Sequence, residues 1–460
     1  MNYFIFPTQL YYNLKINKQY HLYLIEEPRY FTDFHFNRIK LIYHRSSMKA
    51  YYDYLISHHY NVDYIEYNDV ESFYLKIKEA TFIDPIDHTI KKKLKMKCNI
   101  LPDIQFLLSV DELNEYKNVF YKHGRYHNDL FYKFMRKKLN ILINGNKPIG
   151  GKWSYDIDNR NPLPKKIDVP QIQSIKENKY TKEAKEYIKK HFPNNYGELN
   201  NFYPIDRKGA LKWLVQFFKE RFKHFGNYED AISDEPFLFH SVISPMINIG
   251  LLLDHEVVEK AIEYYKEHKE IPIEDFEAFI RQIIGWRTYI YGIYRLEPEI
   301  INENQLNHHK KITNEWWKGI GIEPIDELIH KINKYGYVHH IERLMILGNW
   351  MLLNEIHPKE VYRIFMEWTV DSYDWVMVGN TVMTAYNSNK LMTRPYFSSS
   401  NYIIKMSHYK KGEWSDIWDK YYYRFIYKNS EMLSKNYSTA ILVKHWKNKS
   451  KEEQHKILYL

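Results

Sequence analysis

Three short apolar runs near the amino terminus, at 3–6, 21–26 and 62–67, have the length and composition of β-strands. Between the second and third, the apolar positions change to helical spacing over roughly 36–59. A further helical stretch follows at 70–80, with Asn68 or Asp69 placed to cap it. Strands alternating with helices predict a parallel sheet with crossover helices, and residues 1–130 are assigned to such an α/β domain. From 131 to 200 the chain is polar and dense in turn residues, as in NGNKPIGGKWSYDIDNRNPLPKK, which predicts a long surface linker. Beyond 200 the helical period dominates. GALKWLVQFFKERF, after Asp206, places Leu211, Leu214, Val215, Phe218 and Phe222 on one face. Asp254 is placed to cap the next segment, where Val258, Ala261, Ile262 and Tyr265 recur at helical spacing. FEAFIRQIIGWRTYIYGIY is apolar nearly all round and predicts a deeply buried helix. Residues 201–460 are read as an all-helical domain.

Composition narrows the class. A chain of 460 residues buries a large core. Lys and Arg exceed Asp and Glu by 9, which argues for a polyanionic partner only if the excess is focused on one face. The run Lys91-Lys92-Lys93-Leu94-Lys95-Met96-Lys97 reads as a solvated edge. The single cysteine, Cys98, excludes a disulfide framework, a cysteine-rich zinc site and a four-thiolate iron–sulfur cluster built within the chain. No basic-then-apolar leader and no membrane-length apolar run is present, so the expectation is a soluble, intracellular monomer without a membrane partner.

Candidate chemistry lies in five motifs. YGYVHHIERLMILGN holds the pair His339-His340, set at the start of an apolar helix with Glu342 and Arg343 one turn on and Asn349 at its end. Imidazoles in an apolar setting ask for a charged or reactive partner. A second pair, His308-His309, lies in NENQLNHHKK, a solvated-looking stretch that asks for none. DEPFLFHSVISPMINIGLLL sets His240, Ser241 and Ser244 where a helix begins, with Pro245 in its first turn, a layout suited to a pyrophosphate. RQIIGWRTY carries Arg281, Gln282, Trp286 and Arg287, too polar for a purely structural buried helix. VDSYDWVMVGN offers Asp371, Asp374, Trp375 and Asn380, which suit hydrogen bonding to a heteroaromatic ring. TRPYFSSSNYIIKMSHY, with Arg394, Tyr396 and Tyr402, suits phosphate and base contact.

In this order, together with LIEEPRY and the linker GGKWSYDIDNRNPLPK, these motifs resemble the photolyase/cryptochrome superfamily, and within it the bacterial-type iron–sulfur photolyases. The resemblance covers almost the whole chain. It implies a Rossmann-like antenna domain at 1–130 and a helical FAD-binding catalytic domain at 201–460, acting on UV-damaged DNA. Carried over by motif, Tyr228, His240, Ser241 and Ser244 would hold the FAD phosphates and ribityl chain. Arg287, Arg343, Asp374 and Asn380 would surround the isoalloxazine. Trp286, Arg394 and Tyr396 would meet DNA and lesion, and Trp316 and Tyr402 would carry electrons. The characterised members of the branch repair the (6-4) photoproduct with the histidine pair facing the lesion. His340 is taken as proton donor and His339 as its neighbour, though the roles could be exchanged.

The chain also departs from the branch. Pro324, Lys410 and Glu413 stand where cluster cysteines are expected, and no cysteine remains for the fourth, so no iron–sulfur cluster is expected and packing such as WSDIWDKYYYRF takes its place. Met377 and Gly379 replace a carboxylate and a proline of the WVE-x-PN motif. Thr8 replaces an aspartate in PTQL, which puts the lumazine antenna in question. Ile364 stands where a relay tryptophan is common, with Trp368 one turn later. The histidines favour (6-4) over cyclobutane-dimer repair, because only the former needs a proton-transfer residue. A cryptochrome-like light sensor is the alternative from another class. Retention of both histidines, Arg394 and Tyr396 weighs against it.

Overall fold

The computed structural model describes residues 1–172 and 175–458. Strands β1 (Asn2–Ile5), β2 (His21–Ile25), β3 (Val62–Ile65), β4 (Glu79–Ile83) and β5 (Lys97–Leu101) form one sheet in the order β3-β2-β1-β4-β5. Every pairing is parallel, with Phe4 opposite Tyr23 and Leu24 opposite Tyr64. Phe4, Leu22, Leu24 and Phe82 are fully buried, as expected for a parallel sheet covered on both faces. Helices α1 (Arg38–Ser57), α2 (Val70–Lys76) and α3 (His88–Lys93) supply three of the four crossovers, and a helix-free loop, 6–20, joins β1 to β2. Asn37 caps α1 through its side chain and Asp87 caps α3.

The stretch read as one helix over 70–80 divides. α2 ends at Lys76 and the chain turns into β4, whose Glu-Ala-Thr start lacks a strand pattern. β5 escapes a pattern reading for a related reason. As an edge strand it leaves Lys97, Asn99 and Ile100 exposed. The lysine run leads into that edge, with Lys91 and Lys93 paired to Asp84 and Asp33 at 3.1 and 2.9 Å. The linker is also more structured than expected. Asn178 caps a helix, Lys179–His191, which buries Thr181, Ala184 and Ile188 against α1. Its apolar stripe is too narrow to stand out in sequence.

Apart from two short hairpins, at 121–126 and 143–148, the secondary structure of the remaining chain is helical, and helices Val110–Phe120 and Asn128–Lys138 pack onto its buried axis. Helix Arg207–Glu220 buries Ala210, Trp213, Leu214, Phe217 and Phe218, whereas Val215 is 44% exposed, so its inner face is rotated from the one read in sequence. Leu253, not Asp254, occupies the cap position of helix Asp254–Glu267, because the Asp254 carboxylate is engaged by Arg287 at 2.7 Å. The apolar segment around 276–294 is the buried axis of this region, as expected. Gly379 lets helix Asp374–Ala385 approach that axis closely, since a Cβ there would lie 2.5 Å from Ile290. Among the described residues, no helix is long and apolar enough to cross a membrane.

Candidate functional site

Four segments enclose a cavity of about 190 Å³: the loop 225–248, the axis helix around 279–290, residues 337–343, and 371–380. Two of them present their side chains from π-helical turns, Arg281–Arg287 and Glu342–Gly348. The wider turn shifts the side-chain register, and such turns are frequent at functional sites. The first carries Gln282, Trp286 and Arg287 to the wall, and the second carries Arg343. On the loop, Val242 lies at φ +53°, a rare conformation for a β-branched residue and of the kind stored at ligand sites. It separates Ser241 from the short helix Ser244–Asn248, which begins where the sequence places it.

Buried charge forms the floor. Arg343 Nη2 donates to Asp371 Oδ1 at 2.9 Å, and Ser244 Oγ donates to Asp371 Oδ2 at 3.0 Å. Arg287 Nε donates to Asp254, its Nη1 meets Asn248, and its guanidinium lies 4.8 and 4.7 Å from the rings of Phe106 and Trp375. Arg287 Nη2, Arg343 Nε and His240 Nε2 are buried without a hydrogen-bond partner. The two guanidinium nitrogens are buried donors that call for an acceptor, and the imidazole nitrogen calls for a polar partner. The wall therefore suits an anionic ligand rich in hydrogen-bond acceptors. The enclosed volume is below the roughly 300–1,000 Å³ of common small-molecule sites, so a ligand of that size would extend through the mouth.

The mouth is acidic and carries one accessible imidazole. The His340 side chain is 44% exposed, with Nε2 3.6 Å from Asp230 Oδ1 and 4.0 Å from Glu229 Oε1. Desolvation opposes the charged ring, but the Asp230 and Glu229 carboxylates beside it outweigh that cost and raise the pKa above the usual histidine value. Glu229 also receives Arg281 at 3.1 Å and the amide of Gln282. His339 differs. It is 2% exposed, stacks on His240 at 4.5 Å, and burial holds its pKa well below the usual value. It stands behind the wall rather than on it.

The structure thus brings His240, Ser241, Ser244, Gln282, Trp286, Arg287, His340, Arg343, Asp371, Trp375 and Asn380 to one cavity, and adds Glu229, which no motif singled out. It does not bring Asp374 there. That carboxylate is held at the α/β boundary by Arg29 at 3.2 Å and by the hydroxyls of Tyr294 and Tyr362, while Asp371 faces the cavity. Tyr228 also lies outside the lining, packed on Phe239 at 5.5 Å. Asn380 donates to the Val376 carbonyl at 2.9 Å. Tyr396 is 38% exposed, and it, Arg394 and Tyr402 are not among the lining residues. Nor is Asn349 a helix end, because the helix continues to Leu353.

At the remaining departures, Met377 is fully buried in the core and is not among the residues lining this cavity, and Thr8 is buried in the loop after β1. Pro324 opens helix Glu323–Tyr335, and near Lys410 and Glu413 the contacts are Tyr409 Oη to Glu327 at 2.7 Å and Trp414 Nε1 to the Lys410 carbonyl at 3.0 Å. Trp316 is partly exposed, and its neighbour Trp317 is the ring that packs on Trp368 at 4.9 Å and on Tyr196 at 4.7 Å.

Comparison with known proteins adds independent findings. A family model described as deoxyribodipyrimidine photo-lyase-related protein matches residues 3–203. A (6-4) photolyase of Agrobacterium fabrum is 34% identical over 343 residues, covering 71% of this chain and 68% of that protein. A bacterial class III photolyase from Agrobacterium tumefaciens superimposes with a TM-score of 0.53 at 16% identity, over 88% of this chain and 80% of its own. A Synechocystis cryptochrome gives 0.60 at 12% identity, over 88% and 86%. These two structural matches establish a shared fold.

Proposed function

Because this chain belongs to the photolyase/cryptochrome superfamily, we propose that it is a light-driven DNA-repair flavoenzyme with FAD in the central cavity and the (6-4) photoproduct as its substrate. The observation that carries the reading is His340, an accessible imidazole held toward its charged form by Asp230 and Glu229 at the mouth of a cavity floored by buried guanidinium groups.

Ser241, Ser244 and His240 would hold FAD on the loop side, and Arg287, Arg343 and Asn380 would surround its ring system. Arg287 Nη2 and Arg343 Nε supply donors that have no acceptor among the described residues, and His240 Nε2 is likewise unpartnered. Bound there in its reduced form, FAD would supply, on excitation by blue light, the electron for opening the lesion. The protein does the rest. A damaged pair costs little to lift from the stack, and the mouth at Trp286, Gln282 and His340 receives it. Reversal of a (6-4) lesion returns a hydroxyl or amino group from one base to the other as the bond joining the bases breaks. A proton delivered at that group assists the transfer, and the electron leaves again, so the repair is redox-neutral. His340 Nε2 holds that proton, and neutral His339 backs the wall through its stack on His240. Aromatic rings are proposed to feed electrons to the cofactor, with Trp316 and Tyr402 as candidates and the Trp368–Trp317 contact beside them. The reading includes no iron–sulfur cluster, so stoichiometric iron in the pure protein would count against it.

The test is single-turnover repair of a (6-4) oligonucleotide by wild type and by His340→Ala. The variant is expected to keep flavin absorbance and DNA binding but lose repair by about 100-fold or more. Equal repair by the two proteins removes His340 from the reaction.

A further inference from the structure

Lys40 is fully buried, an unusual place for an ammonium group. It projects from α1 of the α/β unit, and its Nζ donates to two carbonyls of the helical unit, Met366 at 3.0 Å and Ser372 at 2.5 Å. The Met366 carbonyl is one of the last four of helix Pro358–Trp368, which no intrahelical N–H satisfies. Asn37, one turn earlier, donates to the Trp368 carbonyl at 3.2 Å. The start of α1 therefore grips the end of that helix and the turn that follows.

The turn, 369–372, is held from its other side by the cavity wall. Arg343 Nη2 reaches Thr369 Oγ1 at 3.3 Å and Asp371 Oδ1 at 2.9 Å. Ser244 Oγ reaches Asp371 Oδ2 at 3.0 Å, and Asn248 Nδ2 reaches the Asp371 carbonyl at 2.8 Å. Arg343, Ser244 and Asn248 all line the cavity, and Lys40 does not.

We propose that Lys40 is a positioning residue for the cofactor site: through the 369–372 turn it fixes the Asp371 carboxylate, which in turn orients Arg343 and Ser244 toward the ligand. The inference rests on the flavin reading above for the identity of that ligand. Packing alone does not explain the residue, because a methionine of similar length would fill the same space without a buried charge. Asp371 and Glu367 favour the ammonium, Arg29 and Arg343 oppose it, and His44 and Tyr373 lie beside it. Burial is the largest influence and brings its pKa down to about 7.

The test titrates FAD into the full chain, reading flavin fluorescence, for wild type, Lys40→Met, Asp371→Asn and the double variant. Lys40→Met is expected to weaken FAD binding about tenfold while its melting temperature stays level or rises. Lys40→Gln, which keeps a donor, is expected to recover most of that loss. In the Asp371→Asn background, Lys40→Met is expected to add nothing, because the two act in series. Wild-type affinity in Lys40→Met, or a full additional loss in the double variant, overturns the inference. If Lys40→Met does not fold, hydrogen exchange on wild type decides. FAD is expected to slow exchange at 39–42, none of which lines the cavity, and unchanged exchange there overturns the inference. A wild type that binds no FAD overturns the flavin reading itself and this inference with it.

Discussion

His308-His309 and His339-His340 are the same dipeptide in two settings. In each, the first ring is buried, at 5% and 2% exposure, and the second is exposed. Burial lowers the pKa of His308 to about 4 and holds that of His339 well below its usual value. The pairs separate at the outer ring. His340 faces Asp230 and Glu229 at a cavity mouth, whereas His309 is followed by Lys310 and Lys311 on an exposed segment. The dipeptide itself therefore carries no chemistry. The proton-donor role proposed for His340 rests on an accessible imidazole beside Asp230 and the buried Glu229 at a cavity mouth, and a nearby hydrophobic core is not enough.

Substitutions can break or sharpen that contrast. The largest stability effect is expected at His339, whose removal in His339→Ala leaves a hole against His240 and costs about 2–4 kcal/mol, read as a lower urea midpoint. At His308 the effect depends on pH. Its folded pKa lies below its unfolded value, so its contribution is present above pH 6.5 and lost as pH falls toward 4, by up to about 3 kcal/mol. His308→Leu is expected to remove that acid sensitivity, and an unchanged profile would show that His308 is not the group responsible.

Asp230→Asn acts on the pH profile rather than on stability. His340 has a raised pKa, so its protonated form persists above the usual range and is lost as pH rises through the folded value. Without Asp230, the alkaline fall in repair is expected to move to lower pH; a fixed profile would mean that another group sets it. Smallest of all, His309→Ala is expected to shift stability by no more than about 0.5 kcal/mol and to leave repair unchanged.

α1 and the first three strands are legible in the sequence to within about two residues, although β3 buries only Val62 and α1 buries Lys40, His44 and Arg45 among its apolar residues. The sequence reading missed β4 behind its polar start and β5 at the exposed sheet edge. Most cavity residues were legible as residue types, since polar side chains inside apolar helices stand out. What spacing could not supply was direction. Asp371 and Asp374 are three residues apart, yet one faces the cavity and the other meets Arg29, 345 positions away. The π-helical turns that aim Arg287 and Arg343 leave no periodic signal. His308 looked solvated because the ring it packs near, Phe425 at 6.5 Å, comes from a distant helix.

The most direct measurement is blue-light repair by the reduced, purified protein of two oligonucleotides, one carrying a (6-4) photoproduct and the other a cyclobutane dimer, read by chromatography. The account predicts that the (6-4) lesion is reversed and the cyclobutane dimer is not. Repair of the dimer alone, or of neither lesion by protein with bound flavin, would contradict it.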